Sequence, residues 1–283
     1  MRVAMGLICL NEEEFLWDFY TQHCGWPSLV RMVLVHGADR LYGTANPSMV
    51  TGDGFSIDRT AEILQEIAAI DSRVTVIRHG WMHHVKPDQG KCDGRNRYLE
   101  VMEAERPDIV VTQDADEFVT RADQQAINDK VARIPELNAF RFAQRHAWRP
   151  ASIAHLPYFT YEVVNGYWKV PHCRVWRWKP GMRHRDDHNT PRDGHGALLT
   201  DRLYVGDHGD PEVIHLGFAR SAVNRLATNK FYEARGEVVS RPKHVECRRA
   251  FADWQPGQKL PQGAKVIPWT GPVPEVFREV AAA

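Results

Sequence analysis

The chain opens on a continuously apolar run, Val3 to Leu10, that stops at Asn11-Glu12-Glu13-Glu14. A short apolar run bounded in this way reads as a buried strand. Asn11 followed three residues later by Glu14 has the form of a capping box, which predicts a helix turning Phe15, Leu16 and Phe19 inward. Further strands are expected at Met32 to Val35, Val74 to Ile77 and Ile109 to Thr112. Between and after them Ile63, Leu64, Ile67 and Ile70, then Leu99 and Met102, then Ile127, Val131 and Ile134 keep helical spacing, and Pro107-Asp108 ends the helix expected over residues 93–105. Strands alternating with helices predict a doubly wound, mostly parallel α/β sheet over residues 1–135.

Beyond Pro135 the periodicity loosens and aromatic residues crowd in, among them Trp148, Trp168, Trp176 and Trp178. Residues 136–240 therefore read as a second half, with one clear late helix from Ser221 to Arg235 that carries Val223, Leu226, Ala227 and Phe231 and stops at Gly236. Residues 241–283 form an extension rich in proline and glycine, expected to run extended over the surface. The absence of an internal repeat excludes solenoids and propellers.

Composition narrows the class. Among 283 residues, 43% hydrophobic and 25% charged is a globular balance, and 36 basic against 36 acidic side chains leaves no net field to attract a polyanion. That balance disfavours nucleic acid as an obligatory partner, although Arg141, Arg145 and Arg149 leave room for a local basic groove. No stretch reaches the roughly 18 apolar residues of a membrane span. Five scattered cysteines without a C-x-x-C pair suit a reduced, cytoplasmic setting.

The most informative segment is Ile109-Val110-Val111-Thr112-Gln113-Asp114-Ala115-Asp116-Glu117-Phe118, a buried strand running into carboxylates. Ligands of open α/β sheets bind beyond the carboxyl ends of the strands, and carboxylates two apart on extended backbone share a face. Asp114 and Asp116 can thus reach one hard cation, Mg²⁺ or Mn²⁺, whose shell substrate phosphates complete. A solvated acidic turn is the plainer explanation of so short a pattern.

Taken in order, Ile8 to Leu16, Gly94-Arg95-Asn96 and Asp114-Ala115-Asp116-Glu117-Phe118 resemble the nucleotide-sugar-binding half of GT-A-fold glycosyltransferases, in particular bacterial and phage family-two-like members. Arg174 to Arg177 with Pro180-Gly181-Met182, and Ile214 to Phe218 ahead of a helix carrying Lys230, resemble acceptor-side segments of the same group, so the resemblance spans roughly residues 1–235. It implies a GT-A-like fold, a nucleotide-sugar donor with UDP-sugars foremost, a saccharide or other hydroxyl acceptor, and Mn²⁺ or Mg²⁺ held by Asp114, Asp116 and His215, with His208 as the rival histidine. Lys91 and Arg95 would meet the diphosphate or sugar, and Asn11, Glu12 and Asp39 the nucleoside, although Asn11 and Glu12 also suit a helix cap. The family's D-x-x-S-x-D pattern is not kept after Val35. Asp187, with Asp186 as alternative, is the candidate base for an inverting transfer, and the tryptophans would suit stacking on sugar or simply the core.

Other functions are weighed against this one. A sugar-phosphate nucleotidyltransferase would open on a glycine-rich phosphate loop where this chain has Asn11-Glu12-Glu13-Glu14. A non-catalytic carbohydrate-binding or scaffold protein would have no need of the acids and His215. A zinc hydrolase lacks its H-E-x-x-H.

Overall fold

The computed structural model describes residues 1–83, 90–148, 173–186, 188–206, 210–236, 246, 249–250, 254–255, 257–260 and 265–278, and the backbone alone at 89 and 161–164. Strand β1 (Val3–Cys9) lies between β2 (Leu29–Asp39) and β4 (Ile109–Gln113), parallel to both, and β3 (Val74–Met82) continues in parallel beyond β2. Past β4 come β9 (Val175–Arg177), β6 (Ala139–Arg141) and β10 (Leu203–Val205), completing a seven-stranded sheet in the order β10-β6-β9-β4-β1-β2-β3. Only β9 runs antiparallel to its neighbours. A second, five-stranded sheet has the order β12 (Lys265–Pro268), β8 (Tyr161–Val164), β7 (Ala143–Trp148), β11 (Glu212–Phe218), β5 (Glu117–Phe118).

The alternation of side chains along β1 builds the layers. Val3, Met5, Leu7 and Cys9 enter one core with Leu16 and Phe19 of α1 (Leu16–His23), Ile63, Leu64 and Ile67 of α3 (Thr60–Ile70), and Ile127 and Val131 of α5 (Arg121–Arg133). Ala4 joins the opposite core with Tyr98, Leu99 and Met102 of α4 (Gln89–Glu105) and with Trp176 and Trp178. Gly6 lets α4 approach, since a Cβ there would stand 2.5 Å from a Tyr98 ring carbon. The fold is thus α/β, doubly wound and mostly parallel. The winding reverses between β1 and β4, and Leu7 pairs with Gln113, so the chain after Cys9 and the chain after Gln113 leave the sheet at one edge, where open α/β sheets form their crevice.

Two expectations change. The capping box does not form: α1 starts at Leu16 with Phe15 at its N-cap position, and Asn11 sits at φ +53°. A short amide side chain tolerates that left-handed turn. Its side chain donates to the Met49 carbonyl at 2.7 Å and accepts from the Ile57 amide at 3.1 Å. Glu14 instead accepts from the amide of Ser221 at 3.0 Å and from Asn224 Nδ2, at the start of the late helix α6 (Ala222–Ala234). The tail is also more than a surface drape. Lys265–Pro268 is a strand, and Phe277 of α7 (Glu275–Arg278) is buried with its ring 4.9 Å from that of Phe118.

Candidate active site

A cleft of about 230 Å³ opens where the winding reverses. Asn11 and Glu12 reach it from the end of β1, Asp39 from the end of β2, Lys91 and Arg95 from α4, Asp114 and Asp116 from the segment after β4, and His215 from β11. The fold therefore gathers at one place eight residues spread over more than two hundred positions of sequence. Asp39 caps α2 (Arg40–Ala45), accepting from the Leu41 amide at 2.8 Å, and Gly90 at the start of α4 packs so close that a Cβ there would overlap the Asp39 carboxylate.

The two acids of the D-x-D segment are held by different arginines. Asp114 Oδ2 accepts from Arg174 Nη2 at 2.9 Å, and the same guanidinium donates to the fully buried Glu117. Asp116 Oδ2 accepts from Arg220 Nε at 2.9 Å and lies 3.6 Å from His215 Nε2, while Arg220 Nη2 reaches Glu12 Oε2 at 2.8 Å. Burial pushes both aspartates up, but Arg174 at Asp114 and Arg220 at Asp116 outweigh it and keep both ionised, Asp114 well below the usual carboxylate range. Burial prevails at Glu12 and Glu117, raised to about 8 and about 7 despite their arginines. His215 is lowered by burial against the pull of the two aspartates, which favours a neutral imidazole with a lone pair to offer.

Three buried side chains along the cleft have hydrogen-bonding atoms with no partner among the described residues: Arg95 Nη1, the Tyr98 hydroxyl and both amide atoms of Gln113. Each such group costs about 1–3 kcal/mol if nothing meets it, so this wall suits a ligand rich in oxygen. A Cβ at Gly217 would stand 2.8 Å from His215 Nε2 and 3.3 Å from Asp116 Oδ2, so the glycine keeps open a space walled by one imidazole nitrogen and one carboxylate oxygen. Among the described residues no three acid, histidine or cysteine side chains form a complete cage. Mg²⁺-like ions use one or two carboxylates and take the rest of their shell from phosphates and water, and the donors here fit that habit.

Not every nominated residue arrives. Asp186 is exposed and pairs with Arg192 at 3.2 Å, away from the cleft lining. Asp187, His208, Trp168 and Arg149 lie outside the described residues. Trp148, Trp176 and Trp178 are buried in the hydrophobic cores, and Arg145 pairs with Glu212 at 2.8 Å. Sequence reasoning missed Arg220, Tyr98 and Gln113. Arg220 had a signal: a lone cation immediately before the N-cap Ser221, five residues after His215.

No family model matches the chain, and no curated protein matches it. Among solved structures it is similar to S. aureus TarS 1-349 in complex with UDP-GlcNAc, at 13% identity over 87% of this chain and 75% of that one, with a TM-score of 0.43. It is also similar to the mannosyltransferase PcManGT from Pyrobaculum calidifontis in complex with GDP-Man and Mn²⁺, at 15% identity, 85% and 64% coverage and a TM-score of 0.43. A CMP:2-keto-3-deoxy-manno-octonic acid synthetase complexed with CTP follows at 12% identity, 83% and 100% coverage and a TM-score of 0.37. Against a longer TarS chain, this one spans 42% of the length. Among the described residues no helix is long and apolar enough to cross a membrane.

Proposed function

We propose that the protein is a glycosyltransferase that moves a sugar from a nucleoside-diphosphate sugar to an acceptor hydroxyl, using Mn²⁺ or Mg²⁺ bound between Asp116 and His215, with Asp114 lining the same cleft and donor phosphates and water completing the shell. The observation that carries this reading is the composition of the cleft at the sheet's reversal point. Ionised Asp116 and neutral His215 flank a space kept open by Gly217, and Arg95 Nη1, the Tyr98 hydroxyl and the Gln113 amide, without partners among the described residues, line the same cleft.

Each residue has a role that follows from its place. Asn11, Glu12 and Asp39, at the ends of β1 and β2, line the nucleoside end, and a carboxylate there accepts from sugar hydroxyls. Lys91 and Arg95 meet the diphosphate, where fixed cations offset the charge that grows on the leaving group. Arg174 holds Asp114 ionised and oriented. The cation, when bound, supplies Lewis-acid stabilisation of the same phosphates. Asp186, turned to solvent on Arg192, is not given the part of base.

Incubation with a panel of UDP-, GDP-, CDP- and dTDP-sugars and Mn²⁺ tests the reading through slow transfer of sugar to water. One nucleotide series is expected to be turned over, and Asp116→Asn to lose that turnover while remaining folded. Turnover of none, with no binding of any nucleotide, contradicts it.

A further inference from the structure

Arg220 has no place in the roles above, yet it stands closer to the Asp116 carboxylate than His215 does. Its guanidinium lies between two carboxyl groups, with Nε on Asp116 Oδ2 at 2.9 Å and Nη2 on Glu12 Oε2 at 2.8 Å, and its Cζ stands 5.6 Å from the centre of the Phe15 ring. The oxygen it takes is the one that also faces His215 Nε2 at 3.6 Å. A cation shared by His215 and the Asp116 oxygen nearest to it uses that same Oδ2. A guanidinium and a dication on one carboxylate oxygen compete, because two unit charges about 4 Å apart repel by about 4 kcal/mol near a protein surface and a dication doubles that.

We propose that Arg220 competes with the cation for Asp116 and, once displaced, turns onto the phosphates of the donor, which makes it a further donor-binding residue. The proposal rests on the cation site of the proposed function. Three features favour transfer of the guanidinium over its loss to solvent. Glu12 retains a second hold on it within the cleft. The next residue, Ser221, is the N-cap of α6 and is itself tied to Glu14, so the backbone under Arg220 is anchored from both sides. Residues Asn224 and Thr228 of α6 line the same cleft, so a released side chain stays beside any bound diphosphate. The planar fork of arginine suits phosphate as well as carboxylate. Exchange of one anion for another also spares the buried charge a spell without a partner.

The experiment measures Mn²⁺ binding to the full chain by electron paramagnetic resonance of the free ion, for wild type, Arg220→Gln and Arg220→Lys, without nucleotide. Nucleoside diphosphate binding is then titrated at saturating Mn²⁺. The exchange requires effects of opposite sign. Arg220→Gln binds Mn²⁺ more tightly, by roughly fivefold or more, the low end of ordinary couplings between sites, and binds the Mn²⁺-nucleotide pair more weakly. Arg220→Lys, which keeps charge but loses the fork, falls between and serves as the test if the glutamine variant does not fold. A merely structural arginine would weaken both. Equal or weaker Mn²⁺ binding by folded Arg220→Gln overturns the exchange while leaving the cation site standing. If neither wild type nor variant takes up Mn²⁺, the cation site itself is overturned and the exchange with it.

Discussion

His146 and His215 face each other across the parallel pair β7 and β11, Nδ1 to Nδ1 at 2.8 Å. Two imidazole nitrogens at that distance share one proton, so one ring donates and the other accepts. With His215 as the donor its Nε2 keeps a lone pair, aimed at the space beside Asp116 that Gly217 leaves open. His146 then sets the tautomer of the candidate ligand. Partners of this kind are typically worth roughly 10- to 100-fold in metal affinity. His146→Ala is expected to weaken Mn²⁺ binding on that scale, and His146→Asn, which can still accept, to weaken it less; unchanged Mn²⁺ affinity in the alanine variant contradicts the assignment.

Gly217→Ala should act at the same place by a different route. The new methyl would fall within 2.4 Å of His215 Cε1, so the ring has to move away from Asp116. Gly217 lies near the end of β11 without a left-handed φ, so the strand backbone accepts a Cβ, and the expected result is lost Mn²⁺ affinity with a melting temperature near that of wild type. A variant that binds Mn²⁺ as well as wild type places the cation elsewhere.

Tyr98→Phe should separate stability from binding. Its hydroxyl is buried with no partner among the described residues, and deleting an unmet polar atom is neutral or stabilising, whereas a ligand that satisfies it loses about 1 kcal/mol without it. Denaturant unfolding should show an equal or more stable variant, and calorimetry a nucleotide affinity reduced roughly fivefold. Loss of stability would mean the hydroxyl already has a structural partner.

Arg174 is the charge that lets Glu117 be buried, with Gln144 Nε2 adding a hydrogen bond to Glu117 Oε1 at 2.9 Å. Removing one partner of a buried ion pair costs about 3–5 kcal/mol. Arg174→Leu should lose stability on that scale in chemical denaturation. The double variant with Glu117→Leu should recover most of it, and failure to recover would assign the loss to Asp114 or to packing.

The pH dependence of stability has a defined sign. Burial raises Glu12 to about 8, while in the unfolded chain a glutamate ionises near about 4.3. Between those values the folded protein keeps a proton that the unfolded chain has released, so stability falls as pH rises, by up to about 1.4 kcal/mol per pH unit. His23 and His36, each lowered by burial to about 4, act oppositely until the unfolded histidines deprotonate near about 6.5. Glu117, raised to about 7, adds to the fall below that pH, so the window that isolates Glu12 is roughly pH 7 to 8. The melting temperature of wild type should fall across it, and that of Glu12→Gln should stay flatter; equal slopes would remove Glu12 as the cause.

Much of the sheet was legible because its strands are buried on both faces and so read as apolar runs. The runs at Met32 to Val35 and Val74 to Ile77 are the most apolar parts of longer strands, whose later residues include His36, Asp39, Arg78 and His79, and Gly37, Asp39 and Met82 at their ends line the cleft. The late helix was read to within one residue at each end, closed by Gly236 at φ +77°. The capping box failed because Asn11 and Glu14 have partners about forty and over two hundred positions away, in Met49, Ile57, Ser221 and Asn224. Local pattern cannot register such partners. Asp114, Asp116 and His215 could be nominated because strand ends announce themselves. Tyr98 and Gln113 could not: a tyrosine in a helix and a glutamine at a strand end look ordinary until burial shows that nothing among the described residues answers them.

The most direct measurement is thermal unfolding of the full chain with UDP, GDP, CDP and dTDP, each with and without Mn²⁺, alongside Asp116→Asn. A ligand at 100 times its dissociation constant stabilises the fold by about 2.7 kcal/mol. One nucleoside diphosphate is expected to raise the unfolding temperature of wild type, more with Mn²⁺ than without, and the Mn²⁺-dependent part to vanish in Asp116→Asn. No shift with any nucleotide in either condition would contradict the claim that this cleft holds a nucleotide-sugar.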